Sequence, residues 1–194
     1  MQALRAVSAA YGYAHSRRPL MTSMSLGFVI AGVGDAVCQW QERGEEIFAS
    51  GGFDFRRLAE LCFVRAFVMG PMNHLYFPQL ARLIPGNSWP RTIARVVVDS
   101  SFAAPISLCI VFAATSTLKG KPEDIIFRVQ DRLVPTWMLG VQYWPFVHLL
   151  NFKFIPPPHQ GLVAHFASVW WMVQISNASN RALGKKGEAH PSKG

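Results

Sequence analysis

The sequence predicts an all-α membrane protein: a polytopic bundle of about four transmembrane helices with kinks, preceded by an amphipathic N-terminal helix. The chain has 194 residues, which suffices for one domain. Only 15% of them are charged, against about 25% in a typical globular chain. A span needs about 20 mainly apolar residues, so the decisive observation is a set of long segments free of Asp, Glu, Lys and Arg. These segments are 19–34, 66–81, 100–118, 133–152 and 154–180.

Composition argues against several other classes. The apolar share of 51% excludes intrinsic disorder as the main state, because a disordered chain combines low hydrophobicity with high charge. The net charge of +8 would suit a nucleic-acid binder, but the scarcity of charge argues against one, and we expect a lipid bilayer as the partner. A soluble helical bundle is the alternative. It would carry a charged stripe on each helix, which 100–118 and 133–152 lack.

Residues 1–18 predict a basic amphipathic helix. The segment contains Arg5, Arg17 and Arg18, and no acidic residue precedes Asp35. This composition resembles that of a mitochondrial targeting segment. Its apolar residues fall at helical spacing, so the segment could also lie on a membrane surface.

The first predicted span covers residues 20–40 and carries a stripe of small residues suited to helix packing. Small side chains at this spacing let helix backbones approach closely in lipid. The stripe consists of Ser23, Gly27, Ala31 and Gly34.

Prolines divide the rest of the chain. Spans two and three are predicted at 58–83 and 92–118, and span four ends in the proline run of 151–158. Three consecutive prolines cannot continue a helix, so the chain must turn there, and 161–180 either adds a span or forms a broken hairpin. We expect residues 1–183 to form one membrane domain and 184–194 a mobile basic tail. Kinks are expected at Pro71, Pro105, Pro135 and Pro145.

Polar residues in or beside the apolar segments form the candidate site. An acid or an Arg at mid-bilayer costs about 2.5–3.5 kcal/mol, so these side chains should face the bundle interior, pair with a cation, or line water. Arg95 and Asp99 are spaced i,i+4 and could pair, while Arg65 could reach Asp35 or Asp99. The candidate pore-lining or buried polar network is Asp35, Gln39, Arg65, His74, Arg95, Asp99 and Asn151.

Two interpretations of this network stay open. It could surround a water-accessible lumen for a polar or charged solute, or it could be a buried ion-pair clamp that fixes helix register. His74 and His148 could relay protons or bind a metal, although a lone helical histidine is more often structural. The sequence has no GxSxG, HExxH or CxxC motif and no Gly-rich phosphate loop. We therefore expect no enzymatic activity, metal site or cofactor.

Ordered blocks of residues carry a resemblance over residues 8–180. The blocks are Tyr11, Pro19, Thr22, Gly34-Asp35 and Gln39; FDFRR (53–57), Arg65 and GPMNHLYFPQL (70–80); Arg95, Asp99 and Pro105; WP (144–145), NF (151–152), Pro156, Trp171 and Ser176. Together they resemble the Mpv-seventeen family, also named for the peroxisomal membrane protein of 22 kDa. Ser100 and Gln160 depart from the family pattern, which usually has Gln and Arg at these positions.

The resemblance implies four transmembrane helices and a weakly selective channel for small solutes, involved in organelle metabolite and redox homeostasis. It implies the mitochondrial inner membrane or the peroxisomal membrane. The basic N-terminus and a C-terminal Ser-Lys-Gly, unlike the peroxisomal Ser-Lys-Leu, favour mitochondria. The alternative function is a structural accessory subunit of a larger, respiratory-type membrane complex, and a homo-oligomer is a further possible assembly. The two departures and the 12% aromatic content motivate this alternative.

Overall fold

A computed structural model describes residues 2–48 and 52–188, and over these residues the regular secondary structure is entirely helical. The predicted all-α fold class is therefore confirmed for the described part of the chain. The helices are α1 Gln2–Arg17, α2 Pro19–Arg43, α3 Phe55–Phe63, α4 Gly70–Leu83, α5 Trp89–Val98, α6 Ala104–Leu118, α7 Asp124–Val141, α8 Trp144–Phe154 and α9 Pro157–Glu188.

Two π-helical turns join helices that would otherwise be separate. Val64–Met69 links α3 to α4, and Asp99–Ala103 links α5 to α6. Each turn is followed by a proline in the first turn of the next helix, Pro71 or Pro105. Proline has no N–H to donate, and its ring crowds the carbonyl four residues earlier. A widened π turn accommodates this mismatch, so α3–α4 and α5–α6 each continue as one long helix.

Successive long helices run in opposite directions. At one end of α2, the Ser23 hydroxyl donates to the carbonyl of Gly70 (3.1 Å). At the other end, the Asp54 N–H donates to the Gln39 side chain (2.7 Å). α2 and α3–α4 are therefore antiparallel.

The same alternation relates α5–α6 to α7–α8. The Asn87 side chain just before α5 donates to the Lys153 carbonyl (3.0 Å) at the end of α8. Further along, the Trp137 indole donates to the Ser100 carbonyl (2.7 Å). The chain therefore crosses the bundle once in α5–α6 and returns through α7 and α8.

The small-residue stripe of α2 packs against its neighbours. A Cβ on Gly27 would lie 2.6 Å from the Arg65 carbonyl oxygen and 3.4 Å from the His165 ring, and Gly34 faces Met172. Since residues 27 to 34 of α2 meet 165 to 172 of α9 in the same order, these two helices run parallel. The buried stripe comprises Ser23, Gly27, Ala31 and Gly34.

Apolar side chains form both a core and an outer surface. The core lies between α4, α5, α8 and α9. Large apolar side chains also cover the outside, and several are more than half exposed. The core cluster is Phe77, Leu80, Val96, Phe152 and Ala164. Prominent outer residues are Phe28, Phe67, Phe102, Phe146 and Phe166.

Two continuous helical segments of the described chain are long and apolar enough to cross a membrane, Pro19–Ile47 and Trp89–Leu118. Residues 133–152, predicted as one span, are instead divided between α7, which ends at Val141, and α8, which begins at Trp144. Pro145 in the first turn of α8 is compatible with this break, because a proline at a helix start needs no N–H partner. Pro135 lies inside α7.

The proline run turns the chain where the sequence predicts a turn. α8 ends at Phe154 and α9 begins at Pro157. Residues 161–180 lie within α9, which extends to Glu188. The last part of the expected mobile tail, 189–194, lies outside the described residues.

Candidate functional site: a charged cavity inside the bundle

A cavity of about 1090 Å³ lies inside the bundle and is lined by residues of every helix from α2 to α9. Three of the polar residues singled out from the sequence line it, namely Asp35, Arg65 and Asp99. Each comes from a different helical segment, and two of them lie in the π turns. Four members of the predicted network do not line the cavity and make contacts elsewhere in the bundle: Gln39, His74, Arg95 and Asn151.

Asp35 is 1% exposed and is neutralised by Arg57. The Arg57 Nε lies 2.8 Å from one carboxylate oxygen of Asp35, and the Gln39 amide donates to the other (2.7 Å). The guanidinium also bonds both oxygens of Glu42 (2.6 and 3.2 Å). Asp54 caps α3 by accepting a hydrogen bond from the backbone N–H of Arg57 (2.9 Å). This cap fixes the position of Arg57 in the first turn of α3. The predicted pairing of Asp35 with Arg65 is therefore wrong.

Asp99 faces an aromatic group of residues. One carboxylate oxygen lies 3.4 Å from the His148 Nε2, and the Tyr76 hydroxyl lies beside the carboxylate. The His148 ring is stacked between Trp144 and Phe152, with centroids 5.2 and 5.1 Å away. His148, for which the sequence left a proton relay, a metal ligand and a structural role open, thus contacts the buried acid directly.

Arg95 does not pair with Asp99, although the spacing suggested it. Its guanidinium donates to the carbonyl of Ile84 (2.6 and 3.0 Å) and to that of Gly86 (2.9 Å). These carbonyls follow the end of α4, where backbone acceptors lack helical partners. Arg95 therefore stabilises the turn between α4 and α5, and the predicted Arg95–Asp99 pair is wrong.

Asn151 stabilises the turn between α8 and α9. Its amide donates to the Gln160 carbonyl (3.0 Å), and the Gln160 amide donates to the Ile155 carbonyl (3.0 Å). Gln160, which departs from the family pattern, thus has a structural role here.

His74 lies where α1 meets α4 and α9. Its ring stands edge-on to His15, with centroids 6.3 Å apart, and Tyr11 packs against His15 and His159. Burial lowers the pKa of His15, and the neighbouring His74 and His159 lower it further. Among the described residues, no group of three or more His, Cys, Asp or Glu is placed to hold a metal ion.

Arg65 is a cavity residue whose charge has no counter-charge among the described residues. Its side chain forms no hydrogen bond or ion pair with any described residue. His165 of α9 lies close enough to interact with it electrostatically, also lines the cavity, and has a buried Nε2 without a partner.

Four residues of this site were absent from the predicted network: Arg57, Tyr76, His148 and His165. His165 had a usable signal, because an ionisable residue within the charge-free segment 154–180 is uncommon in a membrane helix. Arg57 lay outside every apolar segment, so a search of those segments could not find it.

Comparisons with known proteins place these observations in a family. Residues 116–176 match the sequence model of the Mpv17 / PMP22 family. The "Mpv17-like protein" of Bos taurus is 31% identical over 113 residues, which are 58% of this chain and 57% of that protein. The chain is similar to members of the Mpv17 / PMP22 family. It spans little more than half the length of this bovine relative.

Further members of the Mpv17 / PMP22 family match over more of their length. The "PXMP2/4 family protein 1" of Dictyostelium discoideum is 26% identical over 177 residues, 86% of this chain and 81% of that protein. The "Mitochondrial inner membrane protein Mpv17" of Caenorhabditis briggsae is 23% identical over 163 residues, 83% and 86% respectively. The resemblance to the Mpv17 / PMP22 family inferred from the sequence is confirmed. No solved structure matches this chain.

Proposed function

We propose that this chain is an organellar integral membrane protein that provides a pathway for small solutes through its helical bundle. In this proposal α2, α3–α4, α5–α6 and α7–α8 cross the bilayer, and α9, parallel to α2, is a candidate for a further crossing. No catalytic step is part of the proposal.

The observation that carries the proposal is a charged cavity inside a bundle with an apolar exterior. Asp35, Arg65 and Asp99 line the cavity, whereas side chains such as Phe28 and Phe166 project outward. Charged groups within a membrane are costly unless they pair or meet water. The cavity volume of about 1090 Å³ is at the upper end of the range of roughly 300–1,000 Å³ for small-molecule sites. A hydrated solute of modest size therefore fits.

We place the protein in the mitochondrial inner membrane, with the peroxisomal membrane as the alternative. The nematode relative carries the mitochondrial inner membrane in its name. The basic, acid-free composition of residues 1–34 also supports the mitochondrial assignment.

Reconstitution tests the proposed pathway. The purified chain should produce conductance in planar bilayers and solute leakage from liposomes, and Asp99→Asn should change the conductance because it removes the cavity charge beside His148. Glu123→Gln is the matched control, since Glu123 is an exposed acid just before α7 that does not line the cavity. Silence of the wild-type chain in both assays would refute a permeation role.

A second function, as a structural subunit of a larger membrane complex, is favoured by one observation. The apolar part of the helix Trp89–Leu118 is barely buried within the chain, so it offers a long surface to another protein. This function predicts stoichiometric co-purification with a respiratory-type complex in mild detergent. Migration on native gels only as a monomer or a homo-oligomer would contradict it.

A further inference from the structure

We infer that the cavity accepts small solutes bearing a carboxylate or phosphate group, and that Arg65 together with His165 binds this oxyanion. The inference rests on the proposed permeation function and adds the chemical class of the solute. It assigns Arg65 a binding role in place of the helix-pairing role expected from the sequence.

The cavity's own carboxylates leave Arg65 uncompensated. Asp35 and Glu42 are both engaged by Arg57, and Asp99 faces His148. These are the acids that line the cavity. A guanidinium removed from bulk water is costly unless it is paired, so the position favours an anionic group brought in by a solute.

His165 adds a second polar group at the same place. The residue is 2% exposed, and its Nε2 has no hydrogen-bond partner among the described residues. The backbone around the pair is held closely, because Gly27 of α2 leaves no room for a Cβ between the Arg65 carbonyl and the His165 ring. A guanidinium fork matches the two oxygens of a carboxylate or phosphate, and an imidazole N–H can donate to a third acceptor atom.

The charges elsewhere in the cavity favour the same class of solute. Besides Arg57 and Arg65, the lining includes Lys119, Arg128 and Arg132, so cationic side chains outnumber the three anionic ones. Lys119 directly follows α6, and Arg128 and Arg132 lie on α7. An excess of one sign of charge in a cleft concentrates counter-ions and raises their entry rate. Two of the three lining carboxylates, Asp35 and Glu42, are already engaged by Arg57.

A measurement of ion selectivity tests the oxyanion assignment separately from permeation. Reversal potentials across planar bilayers holding the wild-type chain, recorded under gradients of potassium succinate and of potassium phosphate, should show preference for the anion. In Arg65→Gln the ratio of anion to cation permeability should fall by about tenfold or more, the loss expected for a hydrogen bond to a charged group. Arg56→Gln is the matched control, because Arg56 is a 75% exposed arginine of α3 outside the cavity lining.

For variants that insert poorly into planar bilayers, a ligand-binding measurement in detergent tests the same assignment. Succinate or inorganic phosphate should raise the melting temperature of the detergent-solubilised wild type and of Arg56→Gln, since a ligand stabilises the state that binds it. The rise should shrink in Arg65→Gln and in His165→Asn.

Each remaining outcome has a defined meaning. Cation preference in the wild type, or an unchanged permeability ratio in Arg65→Gln, would overturn the inference and leave the pathway standing. Stabilisation by phosphate without any succinate or phosphate flux would mean that Arg65 holds a lipid headgroup, and it would overturn the solute assignment. Passage of erythritol alone, with no oxyanion flux, would do the same. Absence of all flux would refute the pathway itself.

Discussion

Arg57 is the residue on which the buried charge of α2 depends. It neutralises Asp35, whose carboxylate is closed off from solvent, and it also binds the more exposed Glu42. We expect Arg57→Met to lower the free energy of unfolding by about 3–5 kcal/mol, because removing one partner of a buried pair leaves an uncompensated charge. An SDS-titration unfolding curve of the detergent-solubilised protein measures this loss.

The neighbouring arginine provides the control for that prediction. Arg56 is paired only with Glu60 at the surface, so Arg56→Met should change the unfolding free energy by less than about 1 kcal/mol. Adding Asp35→Asn to Arg57→Met should recover most of the loss, since the fully buried side chain at position 35 is then uncharged. Equal losses for the two arginine variants would show that Asp35 does not depend on Arg57.

The sequence located the buried charges but could not pair them. Asp35 and Asp99 were identified because they flank or interrupt apolar segments, and that signal is local. Their partners are set by the rotation of α3 and α8 around their axes, and for Arg57 by the Asp54 cap that fixes the first turn of α3. Spacing along one helix is not enough, since Arg95 reaches the carbonyls after α4 instead of the acid four residues away.

At Gly27, α2 packs tightly against the backbone of a neighbouring segment. A Cβ there would lie 2.6 Å from the backbone oxygen of Arg65, and a backbone atom cannot move aside as a flexible side chain can. Gly27→Ala should therefore lower the unfolding free energy by about 1–3 kcal/mol, the usual cost of overpacking. It should also shift α2 away from the π turn that carries Arg65.

Gly32→Ala on the same helix is the matched control. Its Cβ would lie 3.6 Å from the Cys62 Sγ, an ordinary van der Waals contact, and Ala is favoured over Gly inside a helix by about 1 kcal/mol. We expect this variant to be as stable as the wild type or slightly more stable in the same SDS titration. Similar losses for both variants would show that α2 is insensitive to the close approach.

The sequence predicted the ends of helices where the local chemistry of a few residues determines them. The proline run ended α8, as the missing N–H groups require. The π turns were not predictable from spacing, because they depend on how a helix accommodates Pro71 or Pro105 without ending. The break between α7 and α8 at 142–143 was also not predicted. The charge-free segment continues through it, and a turn within an apolar segment does not change its hydropathy.

At the scale of the whole molecule, charge depletion predicted the helical class, and ordered motifs predicted the family. Neither predicts which helices are parallel. α9 lies parallel to α2, because Gly27 packs against His165 and Gly34, further along α2, packs against Met172, further along α9. These contacts join parts of the chain that are distant in sequence. The proposed function depends on the resulting arrangement, which encloses Arg65 and Asp99 within one cavity.

The medium around the bundle can be tested with two exposed phenylalanines. Phe28 lies near the middle of α2 and is 53% exposed, and Phe55 begins α3 and is 72% exposed. In a water-soluble bundle, Phe28→Asp and Phe55→Asp would both be mild surface changes. In a bilayer, an Asp at the centre of a span costs about 3 kcal/mol relative to Phe, whereas an Asp at the first turn of α3 stays near the headgroups and favours the helix N-terminus.

We therefore expect Phe28→Asp to reduce membrane insertion roughly a hundredfold at equilibrium, the factor that corresponds to about 3 kcal/mol, and Phe55→Asp to insert like the wild type. The measurement is the fraction of in vitro translated chain that stays with microsomes after alkaline extraction. If both variants are retained equally, the outward face of α2 does not lie against lipid, and the cavity must be reconsidered as the interior of a soluble or peripherally bound protein.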